Sequence, residues 1–206
     1  MTIALVFDTE TTGLARFKDD PVSPVQPNLV QLGALLIDLE TGREYAIMDL
    51  IVYPSSWEVP QEAALVHGIS TGVAKKVGVE LDAAVLPFRD LVNAADILVC
   101  HNWAFDSIIM RRASAMVDLS DGKDVTDLFE GKPNFCTMRA ATPIVKKRGK
   151  KPLHNEDYKW PKLIECMQHF FNEGLEGAHN AIVDCRATAR LLTHLVNENL
   201  VTLPTE

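Results

Sequence analysis

Asp8 and Glu10 stand two residues apart at the end of an apolar run, Ile3-Ala4-Leu5-Val6-Phe7. In an extended chain, residues two apart project from the same side. Two carboxylates therefore leave the end of a buried strand together. Like charges held side by side raise each other's pKa and resist joint ionisation unless a cation lies between them. The pair reads as half of a site for a hard divalent ion such as Mg²⁺ or Mn²⁺, or as a solvated strand end followed by a turn. The fragment alone leaves both readings open. Thr9, Thr11, Thr12 and Gly13 are small enough to let another molecule's backbone come close.

Two further carboxylates carry histidines ahead of them. His101-Asn102-Trp103-Ala104-Phe105-Asp106 directly follows a second buried run, Asp96–Cys100, and places Asp106 in the first turn of a helix. The helix dipole favours a carboxylate there on structural grounds alone. Phe105 weakens that bland reading, because it should anchor the turn in the core and hold Asp106 near the sheet's edge. His179-Asn180-Ala181-Ile182-Val183-Asp184 opens the last long helix. Asp184 lies at the margin of its apolar stripe, about 110° from the middle, so it is half buried and needs a partner. A lone histidine before a helix is ordinarily a surface or capping residue. Five residues upstream of an awkward aspartate, His179 becomes a candidate for chemistry.

The elements that must position these residues follow from periodicity. Ile3–Phe7, Leu29–Leu39 and Glu44–Tyr53 read as strands, the last two joined by the hairpin-sized Glu40-Thr41-Gly42-Arg43 and expected antiparallel beside the first. Pro60–His67 reads as a short helix ended by Gly68, and Leu81–Ala95, Ala104–Met116, Pro161–Phe171 and Ala181–Val196 as amphipathic helices. Phe135–Met138 should be a short strand running into a helical turn at Arg139–Val145. Val117–Asn134 reads as an acidic, irregular surface insertion, Lys146–Lys159 as a basic loop and Leu200–Glu206 as a tail. The pattern predicts one α/β domain over 1–197, a mixed sheet with helices on both faces. Sites in such sheets gather at the carboxyl ends of the strands, where Asp8 and Glu10 are delivered.

The bulk properties narrow the function. A formal net charge of −8 argues against a protein that coats nucleic acid through long-range electrostatics. It allows an enzyme that grips a few nucleotides through metal ions. No apolar run approaches membrane-spanning length, and the N-terminus has no secretory features. Cys100, Cys136, Cys166 and Cys185 sit apart in apolar patterns without a CxxC pair, as reduced core thiols of a cytosolic, cytoplasmic protein would.

Asp8-Thr-Glu10-Thr-Thr-Gly-Leu14, His101-Asn-x-x-Phe105-Asp106 and His179-Asn-Ala181-x-x-Asp184, in this order and spacing, resemble the three exonuclease motifs of the DnaQ-like DEDDh family of 3′→5′ exonucleases. Gln31-Leu-Gly33, His67-Gly-Ile69 and Cys136-Thr-Met138 agree with the family, and the resemblance runs from about Ile3 to Leu195. Trp103 departs from it, standing where the family often has a small residue. The Val117–Asn134 insertion and the Lys146–Lys159 loop are longer than in compact members.

The resemblance implies a ribonuclease H-like fold and hydrolysis of the terminal phosphodiester at a nucleic-acid 3′ end, DNA favoured, releasing nucleoside 5′-monophosphates. Asp8, Glu10, Asp106 and Asp184 would hold two Mg²⁺ or Mn²⁺ ions about 3.5–4 Å apart. His179 would be the general base. The expected substrate contacts are Thr9, Thr11, Gly13, Leu14, His67, Asn102, Trp103 and Phe105. Leu14 would pack against terminal bases. Trp103 is a candidate stacking partner and equally a core or rim residue; His67 is a candidate contact and equally a helix-end cap. The run Lys146, Lys147, Arg148, Lys150, Lys151, with Tyr158 and Trp160 nearby, would track a phosphate backbone or form an ordinary solvated loop.

Two rival readings keep the fold. One is an exoribonuclease that trims RNA 3′ ends. The other is a ribonuclease H-like docking module without catalysis, which the presence of all five motif residues argues against. The sequence leaves open a polymerase or repair partner, a free-standing form and the oligomeric state.

Overall fold

The computed structural model describes residues 1–148 and 158–204. One sheet contains β1 (Ile3–Thr11), β2 (Leu29–Asp38), β3 (Glu44–Ile51), β4 (Ile97–Cys100) and β5 (Asn134–Cys136) in the order β3-β2-β1-β4-β5. The first three form an antiparallel meander, and β4 and β5 run parallel to β1. The helices among the described residues are α1 (Gln61–His67), α2 (Thr71–Val77), α3 (Leu81–Ala94), α4 (Trp103–Ser120), α5 (Thr137–Val145), α6 (Leu163–Phe171) and α7 (Ala181–Asn197). This is the expected ribonuclease H-like arrangement, a mixed five-stranded sheet with helices on both faces.

Strand periodicity sorts the core into two layers. Leu5 and Phe7 of β1 pack with Phe88 and Val92 of α3 and Ile109, Met110 and Ala113 of α4. Ala4 and Val6 point to the other face, with Leu35 and Ile37 of β2 and Ile182, Cys185, Ala189 and Leu192 of α7. Every residue of β2 is buried, as a strand covered on both faces requires. The far side of α7 carries a third layer, in which Ala187, Leu191 and Leu195 meet Ala141 of α5 and Cys166 and Met167 of α6. All four cysteines are free thiols. Among the described residues no helix is long and apolar enough to cross a membrane.

The structure departs from expectation at several boundaries. Helix α4 continues past Met116 to Ser120, because Val117 stays in the core and buried Asp118 pairs with Arg89 of α3 at 2.8 Å. The irregular segment thus starts at Asp121, and Phe129 within it returns to the core to stack on Phe7, ring centroids 5.7 Å apart. The short helix α2 was not expected: only Ala74 is buried on it, so it has no apolar stripe, and Ser70 caps it by accepting the Val73 N–H. Of the basic loop, residues 149–157, including Lys150 and Lys151, lie outside the described residues.

Candidate active site

Asp8 and Glu10 share the strand face of Ala4 and Val6, the face covered by α7. Across the β1–β2 ladder, Asp8 lies opposite Gly33 and Glu10 opposite Gln31. These two β2 residues seat the start of α7. A Cβ on Gly33 would fall 2.4 Å from the Ala181 carbonyl carbon, so only glycine lets the helix backbone come this close. Asn180 makes no side-chain cap. The first N–H of α7, from Ala181, instead donates to Gln31 Oε1 at 3.3 Å. Gln31 Nε2 donates to Asp49 Oδ1 at 2.7 Å, and that bond fixes which end of the amide faces the helix.

With α7 seated, Asp184 in its first turn comes to Glu10. His179 sits just before, with its backbone in the left-handed region at φ +66°, and its N–H donates to Asp184 Oδ2 at 3.0 Å. Glu10, His179 and Asp184 each present a ligand atom within 4.8 Å of the others. Asp106 arrives from the opposite side of β1. Thr9, between Asp8 and Glu10, points toward α4, and its N–H (3.1 Å) and Oγ1 (2.8 Å) both donate to Asp106 Oδ1. The carboxylates from β1, α4 and α7 thus meet at the carboxyl end of the sheet.

The electrostatics are those of crowded acids. Burial pushes Asp8 well above the usual carboxylate range, and Asp106, Asp184 and Glu10 push it further. Burial, then Asp184 and Asp106, raises Glu10 from 4.5 to about 8, roughly 5 kcal/mol against its charged form. Burial raises Asp106 to about 7 despite the opposing Thr9 hydrogen bonds. Asp184 is raised by burial, opposed by the His179 N–H. Among the described residues no Lys or Arg pairs with any of the four. Asp184 Oδ1 is buried without a hydrogen-bond partner. Hard, clustered oxygen donors with no organic counterion and an orphaned buried oxygen fit a divalent cation.

The other candidates divide. Thr11 Oγ1 donates to the Gly13 carbonyl at 2.6 Å and shapes the turn, and Leu14 beyond it is 87% exposed. His67 ends α1 close to Thr11 and His179. Its Nδ1 accepts the Ile69 N–H at 3.1 Å, Nε2 is buried without a partner, and burial lowers its pKa. Asn102 is the residue before α4 and makes no side-chain cap. Phe105 packs on the core as expected. Trp103 makes core contacts: its ring meets Phe7 at 5.8 Å and Phe129 at 5.2 Å. The seating role of Gln31 and Asp49 had no signal beyond the Gln31-Leu-Gly33 motif, because their partners lie far away in the chain.

Three acidic segments closing on one cleft with a histidine beside them form a candidate divalent-metal site. The exonuclease family model (RNase_T) matches residues 5–192, and the chain belongs to this family. An uncharacterized exonuclease, CP81 of Escherichia phage 186, is 27% identical over 200 residues, 93% of this chain and 87% of that protein. Escherichia coli exonuclease I in complex with a dT13 oligonucleotide matches 95% of this chain with a TM-score of 0.71 and 16% identity. The same enzyme with a dA16 oligonucleotide matches 97% with a TM-score of 0.73, also at 16% identity. The chain spans 41% and 42% of those chains, and the likeness is one of fold.

Proposed function

We propose that the protein is a divalent-cation-dependent 3′→5′ exonuclease that removes nucleoside 5′-monophosphates from single-stranded DNA. The observation that carries this reading is the convergence of Glu10, His179 and Asp184 within 4.8 Å around a buried, unpartnered Asp184 oxygen. Asp8 and Asp106 stand behind them. Asp8, Glu10, Asp106 and Asp184 would hold two Mg²⁺ or Mn²⁺ ions. Held by these carboxylates, such ions would supply Lewis-acid chemistry, lowering the pKa of an attacking water and offsetting charge on the leaving 3′ oxygen.

The chain's own groups do the rest. His179 is exposed, and its ring lies in the carboxylate cluster. It takes the water's proton and passes it to solvent. The bond from its backbone N–H to Asp184 ties the base to the metal-binding group, so the two move together. Thr9 holds Asp106 in register with Asp8 and Glu10. The Thr11–Gly13 turn and exposed Leu14 offer backbone and apolar surface to a terminal nucleotide, with His67 beside them. DNA is favoured because the matched exonuclease I structures are complexes with deoxyoligonucleotides. The reading serves a free-standing enzyme and a proofreading subunit alike.

The test is degradation of 5′-labelled single-stranded DNA, duplex DNA and RNA in Mg²⁺ or Mn²⁺, with Asp184→Ala as control. A ladder shortening from the 3′ end with mononucleotide release, absent in the control, is expected. Preferential shortening of RNA would reassign the substrate. Activity equal in wild type and control, or absent from both, would refute the assignment.

A further inference from the structure

We infer that the surface beside the site carrying Arg139, Lys146, Arg148, Lys159, Trp160 and Lys162 binds the nucleic-acid strand upstream of its terminal nucleotide. This inference rests on the exonuclease reading and adds where the rest of the strand lies. The charge of the chain is segregated. Between Arg139 and Lys162 the sequence carries eight Lys or Arg and two acids, Glu156 and Asp157; the remainder carries twelve basic residues and twenty-six acidic ones. A protein of net charge −8 that must grip a polyanion needs a local basic region, and this is where its cations gather.

The fold gathers these residues on one surface. Arg139, Lys146, Arg148, Lys159, Trp160 and Lys162 are all exposed. None of the five cations forms an ion pair among the described residues. The adjacent acid, Glu165, is taken up by Lys147. The described ends of the segment are linked by an isolated Arg148–Tyr158 bridge and by the Lys159 N–H donating to the Lys147 carbonyl at 2.8 Å. Trp160 is 58% exposed, and the Arg139 guanidinium lies over its ring at 6.0 Å. An exposed indole offers a face on which an unpaired base can stack, and the neighbouring guanidinium can add a contact to the strand.

Position supplies the link to the site. β1, β4 and β5 run parallel, so their carboxyl ends share one edge of the sheet. The Met138 N–H donates to the His101 carbonyl at 3.1 Å, which puts Arg139 on that edge. Trp160 and Lys162 flank Pro161, whose carbonyl meets the His101 ring at 3.0 Å. His101 in turn leads into the helix that carries Asp106. A strand leaving the carboxylate cleft along this edge crosses the patch, and only a substrate several nucleotides long reaches it.

The experiment compares wild type with Arg139→Ala/Lys159→Ala/Trp160→Ala. Binding of 5′-labelled oligo-dT of 3 and 12 residues with a 3′-terminal phosphorothioate is followed by anisotropy in Mg²⁺ across a salt series. The replaced side chains are exposed, and an unchanged melting curve confirms folding. For the 12-mer the variant should bind about tenfold more weakly, with the log–log salt slope reduced by about one to two. Trimer binding and turnover should match wild type. Equal 12-mer affinity and slope, or an equal loss for the trimer, overturns the inference. The exonuclease reading is judged separately, by whether wild type cleaves an unmodified 12-mer.

Discussion

His101–Asp106 and His179–Asp184 carry the same pattern, His-Asn-x-x-x-Asp, and each aspartate falls in the first turn of a helix that reaches the cleft. Their histidines have opposite fates. His101 is 8% exposed; its Nδ1 meets Thr137 Oγ1 at 3.0 Å and its Nε2 the Pro161 carbonyl at 3.0 Å. The carbonyl can only accept, so Nε2 carries the proton and Nδ1 accepts from the hydroxyl, an assignment made from the network. Burial holds its pKa near 4, and it stays neutral. His179 is exposed, on a left-handed residue, beside two carboxylates. One histidine has its ring nitrogens committed to holding the protein together, and the other has solvent access. An aspartate at a helix start serves both motifs, whereas proton exchange requires the second environment.

Breaking the shared part should cost most. Asp106→Asn and Asp184→Asn are each expected to lower turnover by roughly 10³-fold in mononucleotide release. Retention of most activity by either variant would show that the two aspartates are not equivalent. His179→Gly should lower turnover by roughly 10²-fold with little change in melting temperature, since glycine accepts the +66° backbone. His101→Ala should do the reverse. The protein should lose about 2–3 kcal/mol, read by denaturant unfolding, while turnover per folded molecule stays near wild type.

Protons should then separate the acids from the buried imidazole. Glu10 titrates near 8 instead of 4.5 and Asp106 near 7 instead of 3.8, so the folded state keeps protons that the unfolded chain releases. Metal-free stability should therefore fall as pH rises through that window. His101 titrates near 4 instead of 6.5, so its burial costs stability as pH falls from 6.5 to 4. In EDTA the melting temperature should decline from about pH 7.5 to 8, above the histidine range, where the carboxylates dominate, and saturating Mn²⁺ should raise it most at the alkaline end. A flat EDTA profile, or an Mn²⁺ effect independent of pH, would show that the acids are not coupled.

Much of this was legible along the chain because the relevant interactions are local. The period of two in β1 puts Asp8 and Glu10 on the side of Ala4 and Val6, and the helical period puts Asp184 at the edge of an apolar stripe. Trp103, which the sequence reads as either a stacking partner or a core or rim residue, is half-buried and packs on the core because Phe129, from the segment read as surface insertion, folds back against it. Boundaries slipped where long-range contacts extend an element, as Arg89 and Asp118 do for α4.

By itself the sequence determined the sheet strands, the order of the acidic motifs and the parity of the first carboxylate pair, all consequences of backbone periodicity and side-chain type. The tertiary structure alone decided which histidine is buried and how α7 meets β2. Those outcomes rest on Thr137 and Pro161, 36 and 60 residues beyond His101, and on Gln31, 150 residues before Ala181. Polar groups so distant in the chain find each other only when the apolar layers on both faces of the sheet close, because burial forces each of them to take a partner.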